Sequence, residues 1–191
     1  MKYEEFIQLS GIGRDVSKAS FDESCLLDPR LIEWGKSWLL SKDKPSLILQ
    51  GNPGCGKTFF SLVFLKALWD QLQPHPFILF KTSSQLDSQL LSASMGKSDR
   101  DPDSIIRVCS ESAVLFLDDL GVETSSERVQ RQYFEIFSAR YSHNRLTVLS
   151  TNCSIAQLRH KFGARIYSRL KSYKLIKFPE IDFRGFFKMT V

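Results

Sequence analysis

The chain has no apolar run long enough to span a bilayer, and residues 1–20 lack the apolar core of a signal peptide. A cytoplasmic protein with no membrane partner is therefore the expectation. Its four cysteines (Cys25, Cys55, Cys109, Cys153) are scattered, with no C-x-x-C and no Cys/His cluster. That spacing offers neither a zinc site nor a disulfide frame, and points to reduced, mostly buried thiols. There is no internal repeat and no low-complexity segment. At 191 residues, 42% apolar and 25% charged, the chain has the length and composition of one soluble α/β domain with a full core.

Charge is unevenly spread. Residues 159–191 hold nine Lys/Arg against two Asp/Glu, a net of +7, while the whole chain carries +5. A basic end on a nearly neutral body suits a polyanion, nucleic acid first, and equally suits a solvated basic face.

The most informative stretch is Gly51-Asn52-Pro53-Gly54-Cys55-Gly56-Lys57-Thr58, which fits G-x-x-x-x-G-K-[ST]. An apolar, strand-like run (46–50) precedes it, and a helix-length stretch (58–72) follows. Strand, glycine-rich loop and helix in that order form a phosphate cradle. Glycine lets backbone N–H groups turn inward, and the helix dipole adds positive potential. Lys57 is expected to reach the β- and γ-phosphates as a ligand-facing charge rather than a core residue. The Thr58 hydroxyl is expected to ligate Mg²⁺, and ATP is the expected ligand. Cys55 is the one thiol whose oxidation would bear on the site.

Further strands are expected at 77–80, 113–117, 146–150 and 173–178, with helices over 29–40, 83–94 and around 104–110. A capping box at Thr124/Glu127 opens the next helix, and one at Ser154/Gln157 opens a short one. Residues 95–103 read as a polar surface loop. Alternating strands and helices argue for α/β architecture: a five-stranded parallel sheet with helices on both faces. Strand order is not readable from the pattern.

The third strand ends in Asp118-Asp119. An apolar run that delivers acid at its C-terminal tip is how phosphate-loop NTPases place a carboxylate near the metal. Asp118 is assigned to Mg²⁺, and Asp119 to preparing the attacking water. Alone the pair would be an ordinary turn; sixty residues after a phosphate loop it is a candidate site. Ser150-Thr151-Asn152 ends the fourth strand, where a polar tip can hold water or sense the γ-phosphate, or simply end a strand. Arg165 and Arg169, four apart, share a helix face; they suit phosphate stabilisation, and they also suit an ordinary basic surface.

Together, Gly51–Thr58, Asp118-Asp-Leu-Gly-Val-Glu123, Ser138-Ala-Arg-Tyr141, Ser150-Thr-Asn152 and Ser168-Arg-Leu170 resemble the AAA+ ATPases of the DnaC/DnaI helicase-loader and IstB group. Ser10-Gly-Ile-Gly13 through Ser20-Phe-Asp22 resembles the segment ahead of the core there. The resemblance covers roughly residues 10–180. It implies an AAA+ P-loop NTPase core over 46–180, after a leading segment (1–45) and before a tail (181–191), with no C-terminal helical lid. It also implies ATP hydrolysis, single-stranded DNA binding, and side-by-side homo-oligomers with ATP at the interfaces. The implied partner is a replicative helicase, or a transposase in an IstB-type alternative; an ATP-binding adaptor with little hydrolysis is a third reading. By the same resemblance Asn152 is the sensor asparagine and Arg169 the finger offered to a neighbour, with Arg165 second. Ile12 and Gly13 line the adenine pocket. Helicase loaders usually carry a gripping domain ahead of the core, whereas some forty residues precede it here, so the usual mode of helicase contact is in question.

Overall fold

The computed structural model describes Tyr3 and residues 28–121 and 126–183. Among these residues the elements run, in chain order, α1 (Pro29–Leu40), β1 (Leu47–Gln50), α2 (Lys57–Gln71), β2 (Ile78–Thr82), α3 (Ser83–Ser94), α4 (Pro102–Glu111), β3 (Val114–Asp118), α5 (Glu127–Ser142), β4 (Leu146–Thr151), α6 (Ile155–Leu170) and β5 (Lys174–Lys177). The strands form one parallel sheet in the order β2-β3-β4-β1-β5.

Successive strand residues point to opposite faces, so each strand feeds two cores. Leu47, Leu49, Phe116 and Val148 face α1 and α2, meeting Trp38, Phe60, Phe64 and Leu68. Ile48, Leu115, Leu117 and Leu149 face α3 to α6, meeting Leu86, Ile105, Phe137, Leu158 and Ile166. The handedness of crossovers explains this division. Three of the four connections advance across the sheet in one direction, and the step from β1 to β2 runs the other way. Right-handed crossovers then put α2 on one face, beside α1, and α3 to α6 on the other. The helices leaving neighbouring strands β1 and β4 thus depart to opposite faces. This opens a crevice at the strands' C-terminal ends, the usual place for a ligand in such sheets.

Local signals explain most boundaries. Thr82 and Ser154 form capping boxes with Gln85 and Gln157. Asp101 caps α4, whose first residue is Pro102, so the polar loop closes there. One expectation is corrected. The N-cap of α5 is Ser126, whose hydroxyl accepts from the Val129 N–H, so the helix begins after Ser126 rather than at a Thr124 box. The helix after Ser154 is short, as expected: the backbone leaves helical geometry at Gly163 (φ 81°, ψ 167°), a conformation only glycine adopts readily, and a second helical segment carries the chain on to Leu170. Among the described residues no α-helix follows β5, and none is long and apolar enough to cross a membrane. Ile12, Gly13, Cys25, Thr124 and residues 184–191 lie outside the described residues.

Candidate active site

The loop Gly51–Gly56 leaves the C-terminal end of β1 and turns into α2. Gly54 and Gly56 have φ of 84° and 94°. Gly51 is glycine for want of space: a Cβ there would lie 2.7 Å from Cys55 Sγ and 2.8 Å from Phe178 Cβ. Cys55 is fully buried beneath the loop, held away from solvent. The other five helices have N-cap side chains (Asp28, Thr82, Asp101, Ser126, Ser154) hydrogen-bonded to their first turns. The N-cap of α2 is Gly56, with no side-chain bond to its first turn. Its N–H groups and dipole are therefore disposed to accept an anion.

Lys57, expected as a ligand-facing charge, is buried within the loop. It is 4% exposed, and its ammonium donates to Gly51 O (2.7 Å), Asn52 O (2.9 Å) and Asn152 Oδ1 (2.7 Å). A buried cation requires partners, and the loop carbonyls and Asn152 supply them. Because β4 lies next to β1, Asn152 at its tip is within reach of the loop. This places Asn152 beside the loop cation.

Asp118 closes β3, one strand further across. Its Oδ2 accepts from Thr58 Oγ1 at 2.9 Å, and its Oδ1 accepts a short bond from Ser150 Oγ. Burial pushes its carboxyl above the ordinary value of 3.8, and Asp119 pushes the same way; the Ser150 and Thr58 hydroxyls and the Lys57 ammonium oppose the shift. Asp119 is half-buried, with φ of 57°. Its N–H donates to Ser150 Oγ (2.9 Å) and its carbonyl accepts from Ser83 Oγ (2.7 Å), so this uncommon backbone is clamped on both sides. Ser150, 1% exposed, thereby holds both acidic residues, a role the sequence reading missed. The signal was available in the Ser-Thr-Asn triplet, but weighing it required knowing that β3 and β4 are neighbours.

The residues present fit Mg²⁺ and a triphosphate. Thr58 Oγ1 and Asp118 Oδ2 are adjacent hard oxygens, and magnesium is commonly held by one or two protein oxygens together with phosphates and water. No His/Cys/Asp/Glu cage of three or more groups occurs among the described residues.

Arg165 and Arg169 lie elsewhere. Both follow the Gly163 bend, and Arg165 is exposed while Arg169 is partly buried. Arg169 comes just before β5, whose first residue pairs with Leu47 at the start of β1. The phosphate loop leaves the other end of β1. The two arginines are thus at the edge of the sheet opposite their own phosphate loop, and the chain does not bring them to Lys57 or Asp118.

The fold is similar to that in the crystal structure of the DnaC helicase loader, at 21% identity and TM-score 0.74 over 87% of this chain and 100% of that one. It is similar to DnaI, at 22% identity and TM-score 0.70, covering 87% and 94%. AMPPCP-bound DnaA from Aquifex aeolicus is also similar, at 19% identity and TM-score 0.69, with 84% of this chain and 50% of that chain covered. No curated protein matches the chain. Residues 4–169 match the family described as IstB-like ATP binding protein, and with that match over most of its length the chain belongs to this family.

Proposed function

We propose that the protein hydrolyses ATP with Mg²⁺, self-assembles on single-stranded DNA with ATP at the subunit interfaces, and assists loading of a replicative helicase. The observation that carries the hydrolytic part is the meeting of three separate sequence motifs at one point. Lys57 touches Asn152, and Thr58 touches Asp118.

In this reading the N–H groups of residues 51–58 bind the phosphates, and Lys57 exchanges its loop carbonyls for β- and γ-phosphate oxygens. Thr58 and Asp118 hold Mg²⁺, which when bound neutralises phosphate charge. Asp119 takes the proton from the attacking water, and Asn152, released by Lys57, orients that water or reports the γ-phosphate. Ile12 and Gly13 form the base pocket. Arg169, facing away from its own site, completes the site of an adjacent subunit, with Arg165 behind it. The exposed cations of α6 and β5, Arg159, Arg165, Lys171, Lys174 and Lys177, supply the DNA-facing charge.

The test is subunit complementation. Arg169→Ala and Asp119→Asn should each bind ATP and fail to hydrolyse it. Mixed on single-stranded DNA, they should regain activity, because intact Arg169 of one then meets intact Asp119 of the other. No recovery at any ratio, with assembly confirmed by light scattering, contradicts the shared site. A second reading, a transposition ATPase that organises a transposase on duplex DNA, is favoured by the family match itself. Affinity capture with and without ATP separates the two by whether a helicase or a transposase is retained.

A further inference from the structure

Three arginines in this molecule are held in three different ways. Arg30 closes its fork on a carboxylate, with Nε and Nη2 bonded to Asp28 at 3.3 and 3.0 Å. Arg140 spends its donors on buried carbonyls and hydroxyls. Arg169 does neither. Its guanidinium lies over the ring of Tyr141, 5.2 Å from the centroid, and its Nε is buried with no hydrogen-bond partner. Among the described residues it has no carboxylate partner.

The difference is one of geometry. Guanidinium N–H bonds lie in the plane of the group, so a carboxylate or carbonyl partner uses up the edge that would grip an anion. An aromatic ring engages the face and leaves that edge unused. Such contact fixes the direction of the cation while keeping its donors available.

Arg169 has reason to need a holder. It sits on the segment beyond the Gly163 bend, under two turns long and too short to fix its own direction. That segment is rooted by burial of Ile166 and Leu170, and the chain just ahead of the bend by Gln130 Nε2 on Lys161 O at 2.8 Å. Tyr141, near the end of α5, is 48% exposed.

We infer that Tyr141 is a positioning residue for Arg169: its ring and the buried Nε fix the guanidinium so that its terminal Nη donors are presented to the phosphates of a neighbouring subunit's nucleotide. This rests on the reading of Arg169 as the arginine offered in trans. The contact should contribute about two- to fivefold in rate, the equivalent of an exposed cation–π contact.

The experiment uses the complementing mixture with the two roles separated. The arginine donor carries Asp119→Asn and the acceptor carries Arg169→Ala. Tyr141→Ala in the donor should lower the recovered kcat two- to fivefold with KM for ATP little changed. The same substitution in the acceptor, which has no Arg169 to hold, should leave recovery as it was. Tyr141→Phe in the donor keeps the ring and should keep the rate. Equal loss on both sides, or loss with Phe, overturns the inference, as does no loss in the donor. Loss of single-stranded DNA affinity with Tyr141→Ala, at unchanged kcat once DNA is saturating, makes the ring a base-stacking surface and also overturns it. A mixture silent even with Tyr141 intact refutes the trans reading, and the presenting role falls with it. The contact alone is then decided by the Arg169 Nε–H resonance in ¹⁵N-arginine-labelled protein. That resonance should lose its ring-current displacement in Tyr141→Ala and keep it in Tyr141→Phe; a resonance that does not move shows that no contact exists.

Discussion

Two buried cations divide the labour of this molecule. Arg140 is fully buried, and it donates to Thr147 Oγ1 (2.8 Å), Cys109 O (2.7 Å), Ser112 O (2.8 Å), Ser112 Oγ (2.9 Å) and Leu146 O (2.5 Å). It stitches the end of α4 and the start of β4 to α5. Lys57 is almost as buried, yet its partners are two carbonyls and the Cys55 thiol of its own loop and one side-chain amide at a strand tip. The partners of Arg140 are fixed backbone and core hydroxyls that no ligand could replace. Those of Lys57 border a crevice, and an anion with stronger acceptors can take their place. Burial alone does not separate a structural charge from a functional one; the replaceability of its partners does. Burial also pushes the Arg140 guanidinium down to about 10, and at neutral pH it remains charged among its acceptors.

The sharpest way to break this comparison is to remove Arg140. Arg140→Ala leaves several buried acceptors unpaired and a cavity behind, and should cost about 3–5 kcal/mol, read as a fall in the urea midpoint. Arg140→Lys keeps the charge without the fork, and should recover only part of that loss.

A smaller effect of opposite sign is expected on the other side of the comparison. The Asp118 carboxyl is raised above 3.8 in the folded protein, so the fold holds that proton more tightly than the unfolded chain does. Its contribution to stability is therefore fully present below 3.8 and is lost as pH rises through the raised value. Asp118→Asn removes the penalty. In the absence of nucleotide its gain in stability over wild type should be small at pH 3 and grow toward neutrality. Urea titrations at several pH values check this, and a gain independent of pH would contradict it.

The smallest effect should come from Asn152→Ala. The amide is exposed except for its bond to Lys57, and Lys57 keeps two carbonyl partners. Stability should change by about 1 kcal/mol or less, while ATP hydrolysis falls. A large loss of stability would place Asn152 with Arg140 as a structural residue.

Much of this was legible in the sequence because local chemistry and global fold agree. α1 over 29–40 and α3 over 83–94 follow from apolar spacing and from Pro29 and Thr82 at their starts. The phosphate loop and Asp118 could be found because short apolar runs deliver them at strand tips. What could not be read depended on strand order. Ser150 acts on Asp118 only because β4 is inserted between β3 and β1, and no periodicity reveals that. The bend at Gly163 was hidden for a different reason: one glycine within a helical pattern usually continues the helix at modest cost. Arg140 was visible as part of a motif, but its burial was not, since arginine is rarely fully buried.

The proposed role of Lys57 is to be held in readiness for phosphate rather than kept for the fold. The direct measurement is equilibrium binding of a fluorescent ATP analogue with Mg²⁺ to wild type and Lys57→Ala, beside their urea midpoints. Binding should weaken by about 10- to 100-fold, the loss of a charge-assisted bond to phosphate, with stability changed far less than in Arg140→Ala. Wild-type affinity in the Lys57→Ala protein, or unfolding as severe as that of Arg140→Ala, would contradict it.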